Sequence, residues 1–129
     1  MTKIVISIQN GLLAEAITQM LSDSGEFQPY RVLVEGKKDC VVNNCEMLSA
    51  DILLAEVSYT SDTSFETRLK EIRQVRNKLP KCKIVMLCDE NSAPDIAREV
   101  MLAKKDGRID AFFFSSVTQS YLNAALCAL

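Results

Sequence analysis

The chain has 129 residues, of which 48% are hydrophobic and 25% charged, and its 15 basic and 17 acidic residues give a net charge of -2, with no histidine. This length predicts one globular domain, residues 1–129, whose core needs no disulfide or metal. The charge balance argues against a basic surface for nucleic acid, and without histidine no Ser-His, Cys-His or His-metal mechanism is available.

The first part of the chain alternates apolar, β-branched runs with helical periodicity. The run Lys3–Ile8 (KIVISI) predicts a strand, and the apolar stripe from Leu12 to Leu21 predicts a helix that stops near Gly25. A weaker run, Arg31–Glu35 (RVLVE), suits an edge strand. The short apolar stripe within residues 36–49 predicts a short helix.

The remaining elements continue this alternation. Asp51–Val57 (DILLAEV) and Lys83–Cys88 (KIVMLC) predict buried strands, because their apolar residues are nearly continuous. Between them, an apolar stripe predicts a helix closed by Pro80. Its opposite, charged face comprises Glu66, Arg68, Lys70, Glu71, Arg73, Arg76 and Lys78.

The last three elements complete the pattern. A helix is expected from near Ser92 towards Gly107, with Pro94 in its first turn. Asp110–Phe114 predicts the fifth strand, and the stretch from Thr118 to Leu129 the last helix. Strands and helices at this spacing predict an α/β fold: a doubly wound, five-stranded parallel sheet in a three-layer α/β/α sandwich.

The cysteines predict neither disulfides nor a zinc site. They are odd in number, lack CxxC spacing and have no histidine beside them: Cys40, Cys45, Cys82, Cys88 and Cys127. We interpret them as reduced interior thiols. No apolar run reaches the ~20 residues that cross a bilayer, and the N-terminus lacks the layout of a signal peptide. The sequence therefore predicts a cytoplasmic protein with no membrane contact.

In such a sheet, ligands bind beyond the carboxyl ends of the strands. There, and over essentially the whole chain, the sequence resembles the receiver domain of two-component response regulators, which has a flavodoxin-like, CheY-like fold. Four segments carry the resemblance. In this family the segment matched by KIVISIQ supplies two metal-binding carboxylates, and the segment matched by DILLAEV supplies the phosphorylated aspartate. The segment matched by KIVMLC ends in Thr or Ser, and the segment matched by GRIDAFFFSS supplies an aromatic switch residue and a lysine.

The residues at these positions depart from the family pattern. Ile8 and Gln9 stand where the acidic pair is expected, and Glu56 stands at the position of the phosphorylated aspartate. Cys88 takes the Thr/Ser position, Phe112 the aromatic position and Ser115 the lysine position. The resemblance thus implies a receiver that is degenerate at its phosphorylation site.

These substitutions argue against phosphoryl transfer. Mg²⁺ needs carboxylate oxygens, which Ile8 cannot offer, and Ser115 lacks the charge of a lysine. Glu56 is one methylene longer than aspartate; we favour a carboxylate that ends a strand in solvent over a permanent imitation of the phosphorylated form. Cys88 has only Asp89 and Glu90 beside it, so an inert thiol is expected.

The sequence therefore predicts a non-enzymatic signalling domain without metal or cofactor. By family analogy alone, it would contact a protein partner or a second copy through the fourth helix, fifth strand and fifth helix. The surface residues proposed there are Ile96, Val100, Phe112, Tyr121 and Leu122. Core packing explains two of the three successive phenylalanines, and Phe112, at the family's switch position, could instead mark a surface that changes on binding.

Three alternatives stay open. The chain could be a receiver phosphorylated on another acid, such as Asp89 or Glu90. The last helix is expected to finish at Leu129, with no DNA-binding output domain in these residues; if one follows, the chain is the regulatory N-terminal domain of a longer transcription or localisation factor. A small flavodoxin-like enzyme or flavin carrier is the third, although Gln9-Asn10-Gly11 is a poor phosphate-binding loop.

Overall fold

A computed structural model of the protein describes residues 2–32, 40–58, 64–88 and 94–129. Within them, five parallel strands form one sheet in the order β2-β1-β3-β4-β5. The strands are β1 (Thr2–Ser7), β2 (Phe27–Arg31), β3 (Ile52–Val57), β4 (Lys83–Cys88) and β5 (Ala111–Phe114).

Helices follow the strands, and local sequence explains where several of them begin and end. They are α1 (Gly11–Ser24), α2 (Cys40–Leu48), α3 (Phe65–Lys78), α4 (Pro94–Lys105) and α5 (Gln119–Cys127). The side chains of Asn10, Ser64 and Thr118 cap the N-termini of α1, α3 and α5, because each accepts a hydrogen bond from a backbone amide of the first turn. Gly25 ends α1 with φ of 73°, a left-handed conformation that favours glycine. None of the described helices is long and apolar enough to cross a membrane.

Two apolar clusters, one on each face of the sheet, make the three layers. Alternate side chains of β1, such as Val5, pack with α2, α3 and α4, whereas their neighbours Ile4 and Ile6 pack with α1 and α5. Both faces of the central strands are therefore covered, which explains their continuous apolar sequence. The predicted doubly wound, flavodoxin-like, CheY-like fold is confirmed.

The predicted position of the edge strand is wrong. The strand expected at Arg31–Glu35 instead begins at Phe27 and ends at Arg31, while residues 33–35 lie outside the described part of the chain. Gln28 and Pro29 concealed it, because a proline argues against a central strand and is tolerated at a sheet edge. The apolar residues just after it drew the prediction downstream.

Candidate functional site

The carboxyl ends of β3, β4 and β5 surround a cleft beside the start of α1. The cleft has a volume of about 420 Å³ and is lined by Asn10, Leu12, Leu13, Glu56, Leu87, Cys88 and Ser115. It lies where the topology of a doubly wound sheet places ligand sites. We therefore take it as the candidate site.

Three of the site residues predicted from the sequence line this cleft together. They are Glu56, Cys88 and Ser115, and the amide of Ser115 donates a hydrogen bond to the carbonyl of Cys88 at 2.8 Å. Ile8, by contrast, is 1% exposed and packs in the core beneath α1 and α5. Gln9 is exposed and approaches the cleft through its backbone. Neither residue at the acidic-pair positions offers a carboxylate to the cleft.

The Glu56 carboxylate has a defined backbone partner. Its Oε1 atom accepts a hydrogen bond from the amide of Gln9 at 2.9 Å, and the residue is half-buried. Glu56 therefore ties the end of β3 to the turn that follows β1. The expectation of a carboxylate that only meets solvent needs correction, because this side chain connects two segments of the site.

A buried arginine on α3, which the sequence reading missed, holds the same edge from the other face of the sheet. The Arg68 side chain is 1% exposed. Its guanidinium donates to the carbonyl of Glu56 at 2.7 Å, and to the hydroxyl and the carbonyl of Ser7, each at 2.9 Å. It also forms an ion pair with Glu71 at 3.3 Å. One side chain thus fastens the ends of β1 and β3 together.

Burial sets the electrostatics of this arginine. Desolvation lowers the pKa of the Arg68 guanidinium, while the carboxylates of Glu71 and Glu56 act in the opposite direction. A guanidinium keeps its proton in proteins, so a positive charge is fixed under the sheet edge at all working pH values. Placing Arg68 on the solvent face of α3 was wrong. Its spacing, three residues after Phe65 and four before Ile72, was the signal for the buried face.

The Cys88 thiol is poorly suited to redox chemistry. The residue is 1% exposed, and burial raises the pKa of the thiol from 9.0 to about 11. The reactive thiolate is therefore scarce at neutral pH. Burial likewise raises the pKa of Cys45 to about 12 and of Cys82 to about 11. These three thiols fit the interior role expected of them, whereas Cys127 is exposed, so its assignment to the interior was wrong.

The described lining of the cleft does not fit a magnesium ion. It supplies one carboxylate, from Glu56, and one of its oxygens already accepts a backbone amide. Mg²⁺ is usually held by carboxylates in near-octahedral geometry. In residues 2–32, 40–58, 64–88 and 94–129, no three potential metal-binding side chains of His, Cys, Asp or Glu lie together. Asp89 and Glu90, proposed as alternative phosphoacceptors, fall outside these ranges.

The turn between β1 and α1 is also unfavourable for a flavin phosphate. A phosphate site at a helix start needs unpaired backbone amides. Here the amide of Gln9 donates to Glu56, and the amide of Leu13 donates to Asn10 at 3.2 Å. The nearby Glu56 carboxylate would repel a phosphate. This geometry weighs against the flavin-carrier alternative.

The residues predicted on the partner surface have different environments. Tyr121 is 64% exposed, and Ile96 and Phe112 are half-buried. Val100 and Leu122 are fully buried, each in one of the two apolar clusters, so their assignment to a contact surface was wrong. Family analogy identified the elements, but the helical period decides which of their side chains face the core.

An apolar groove that the sequence analysis did not predict runs along α4 beside β5. We call it the α4 groove; its volume is about 670 Å³ and its lining is Ala97, Arg98, Met101, Leu102, Lys104, Lys105 and Phe112. Met101 and Leu102 are 53% and 48% exposed. Exposed apolar side chains gathered in one place mark interaction sites more often than isolated ones do.

The strand order, the helices on both faces and the site at the carboxyl edge define the fold of response-regulator receiver domains. Solved structures with this fold include the receiver domain of AraT, a response regulator from Geobacillus stearothermophilus. It is 15% identical to this chain with a TM-score of 0.75, over 98% of this chain and 91% of that one. At this identity, the likeness concerns the fold alone.

Two other similar structures come from different proteins. RcsB from Salmonella enterica, bound to the rprA promoter with the phosphomimetic BeF₃⁻, is 19% identical with a TM-score of 0.73, over 99% of this chain and 67% of that one. An adenylate cyclase from Rhodopirellula baltica is 16% identical with a TM-score of 0.71, over 98% and 84%. No protein-family model and no curated protein matches the chain.

Proposed function

We propose that this chain is an atypical receiver-type regulatory domain of a two-component-type response regulator, which signals through protein contacts without aspartyl phosphorylation. The proposal rests on the contacts made at the carboxyl edge of the sheet. Ile8 lies in the core, the Glu56 carboxylate accepts the amide of Gln9, and Arg68 already binds the ends of β1 and β3.

This arrangement opposes each requirement of phosphoryl transfer. A transferred phosphoryl group needs cations and donors aimed into the cleft to neutralise its charge. The described lining of the cleft contains no lysine or arginine. The guanidinium of Arg68 donates instead to Ser7 and Glu56 and pairs with Glu71 on the other face of the sheet. Ser115 supplies no charge to the cleft. Phosphorylation should therefore be absent or very slow.

We further propose that the protein is non-enzymatic and cytoplasmic. The described cleft contains no pairing of a nucleophile with a base, since the sequence has no histidine and burial keeps the Cys88 thiol protonated. Contact with a partner or a second copy would use α4, β5 and α5, where exposed apolar side chains include Met101, Leu102 and Tyr121. Nucleic acid would then be contacted, if at all, through other parts of a longer regulator.

Intact mass spectrometry tests the absence of phosphorylation. The wild-type chain and the Glu56→Gln variant are each incubated with Mg²⁺ and acetyl phosphate and weighed. We expect no phosphoryl adduct on either, and no Mg²⁺ binding by calorimetry. An adduct lost in Glu56→Gln would overturn the proposal at Glu56. An adduct kept in that variant, and mapped to Asp89 or Glu90, would establish the alternative acid instead.

A further inference from the structure

The amino ends of β1, β2, β3 and β4 border a second cleft, on the edge of the sheet opposite to the candidate site. We call it the amino-edge cleft; its volume is about 510 Å³ and its lining includes Glu26, Asp51, Ile52, Lys81, Lys83 and Leu126. It shares no described lining residue with the candidate site or with the α4 groove. The amino-edge cleft is therefore a separate feature of the molecule.

The two carboxylates of this cleft each accept a hydrogen bond from an uncharged donor. Asp51 Oδ2 accepts the amide of Lys3 at 2.8 Å, and Glu26 Oε2 accepts the thiol of Cys127 at 2.6 Å. The bond to Glu26 raises the pKa of the Cys127 thiol, so the thiol stays protonated at neutral pH. Such bonds orient the carboxylates without neutralising them. Because a carboxylate has about four lone-pair sites, each can accept further donors.

Two lysines of the same lining carry unpaired positive charge. Lys81 and Lys83 are exposed, and in residues 2–32, 40–58, 64–88 and 94–129 neither forms an ion pair. The charged side chains of the described lining are thus two cations and two anions. A purely anionic ligand would meet the carboxylates, and a purely cationic ligand would meet the ammonium groups. A ligand that carries both charges is complementary to the whole set.

The floor of the amino-edge cleft is apolar. Phe27, Ile52 and Leu126 line the cleft and are buried in the cluster that packs with α1 and α5. A volume of this size, with apolar walls and a few polar groups, is typical of sites for small molecules. The floor is suited to the apolar body of a ligand whose charged groups meet the exposed lysines and the carboxylates.

We infer that the amino-edge cleft binds a small zwitterion with an apolar body, which is the chemistry of a free amino acid or a short peptide. Lys81 and Lys83 pair with the carboxylate of the ligand. Glu26 and Asp51 accept its ammonium group, and the floor packs against its apolar body. The inference goes beyond the proposed function, since this ligand site is separate from the phosphorylation site and from the partner surface.

Derivatives of one ligand test the need for both charges. Leucine and leucyl-leucine are zwitterions; their N-acetyl derivatives keep only the carboxylate, and their amides keep only the ammonium group. Each is titrated into the full chain at about pH 6.5, where free amino groups are protonated, and binding is mapped by NMR. We expect at least one zwitterion to bind in the amino-edge cleft with a dissociation constant of about 1 mM or below. Its singly charged derivatives should bind at least about tenfold more weakly.

Removal of single charges supplies the variants. Lys81→Gln combined with Lys83→Gln should weaken the zwitterion at least about tenfold and improve binding of its amide, because two like charges are gone. Glu26→Gln should weaken the zwitterion and improve binding of its N-acetyl derivative. Lys70→Gln combined with Arg73→Gln changes the net charge equally at exposed positions of α3 and should leave binding unchanged. Circular dichroism verifies that the variants fold.

Several results would overturn the inference. They are no binding of either zwitterion at about 10 mM, equal affinity of a zwitterion and its singly charged derivatives, and equal effects of the two double variants. Chemical-shift changes confined to the carboxyl edge of the sheet would also overturn it, because the ligand would then occupy the candidate site. None of these results depends on the phosphoryl adduct, so the proposed lack of phosphorylation stands or fails separately by mass spectrometry.

Discussion

Replacing Arg68 by methionine should destabilise the protein strongly, although the two side chains are similar in length. The guanidinium donates hydrogen bonds to the carbonyls of Ser7 and Glu56 and to the Ser7 hydroxyl, and it forms an ion pair with the Glu71 carboxylate. The bonds that the charged guanidinium donates to the carbonyls of Ser7 and Glu56 contribute about 1.5–3 kcal/mol each, and methionine loses both. Methionine carries no charge, so the variant avoids the cost of removing a guanidinium from water, and this offsets part of the lost stability. We expect the free energy of unfolding to fall by about 2–4 kcal/mol.

Urea unfolding measures this change through the midpoint, provided that the slope of the transition is unchanged. Arg73→Met is the matched control, because Arg73 is an exposed position of the same helix, and its effect should stay within about 0.5 kcal/mol. Arg68→Lys should fall between wild type and Arg68→Met, since an ammonium cannot reproduce the planar fork. If Arg68→Met lost less than about 1 kcal/mol, the guanidinium would not be fastening the two strands.

The thiols supply two further predictions. After brief alkylation at neutral pH, peptide mapping should find Cys127, which is exposed, modified and Cys88, which is buried, unmodified; labelling of Cys88 at the rate of Cys127 would contradict its burial. Between about pH 9 and pH 11 the unfolded chain releases the Cys88 proton before the folded chain does, so stability should fall by up to about 1.4 kcal/mol per pH unit from this thiol. Urea unfolding at about pH 8 and about pH 10 should show a smaller decrease in Cys88→Ala, and an equal decrease would refute the assignment.

Periodicity predicted the layers of this fold well, because its central strands are covered on both faces. The run KIVISI and the apolar stripe of α1 lead directly to the observed strand and helix, including the stop at Gly25. The edge strand β2 carries a weaker signal, since only one of its sides pairs with a neighbour and Pro29 interrupts its pattern. A strand that is buried on both faces has a continuous apolar sequence that is easy to recognise. An edge strand tolerates proline and polar residues, so its sequence is harder to recognise.

The candidate site was predictable in composition but not in connectivity. The spacing of the strands placed Glu56, Cys88 and Ser115 at one edge, where the cleft is found. The bond from Gln9 to Glu56 joins residues 47 positions apart and depends on a backbone amide, which has no signature in sequence. Arg68 was missed because its charge suggested solvent, whereas its helical position pointed to the core.

The partner surface, too, was only partly predictable from the sequence. Resemblance to receivers indicated α4, β5 and α5 as elements, but it carried no information about which way each side chain points. Val100 follows Ile96 by four residues on the inner face of α4, and Leu122 follows the N-cap of α5 by four. The exposed Met101 and Leu102 lie on the outer face, which only the packed structure distinguishes.

The proline in β2 affects how other chains can approach the sheet. The amide of Val32 donates to the carbonyl of Ile6, so by alternation position 29 faces away from β1. Pro29 therefore removes a donor from the outer rim, and at the opposite rim β5 has only four residues. Neither rim is a good template for an incoming peptide strand, which protects against fibril-like stacking and leaves side-chain surfaces as the means of recognition.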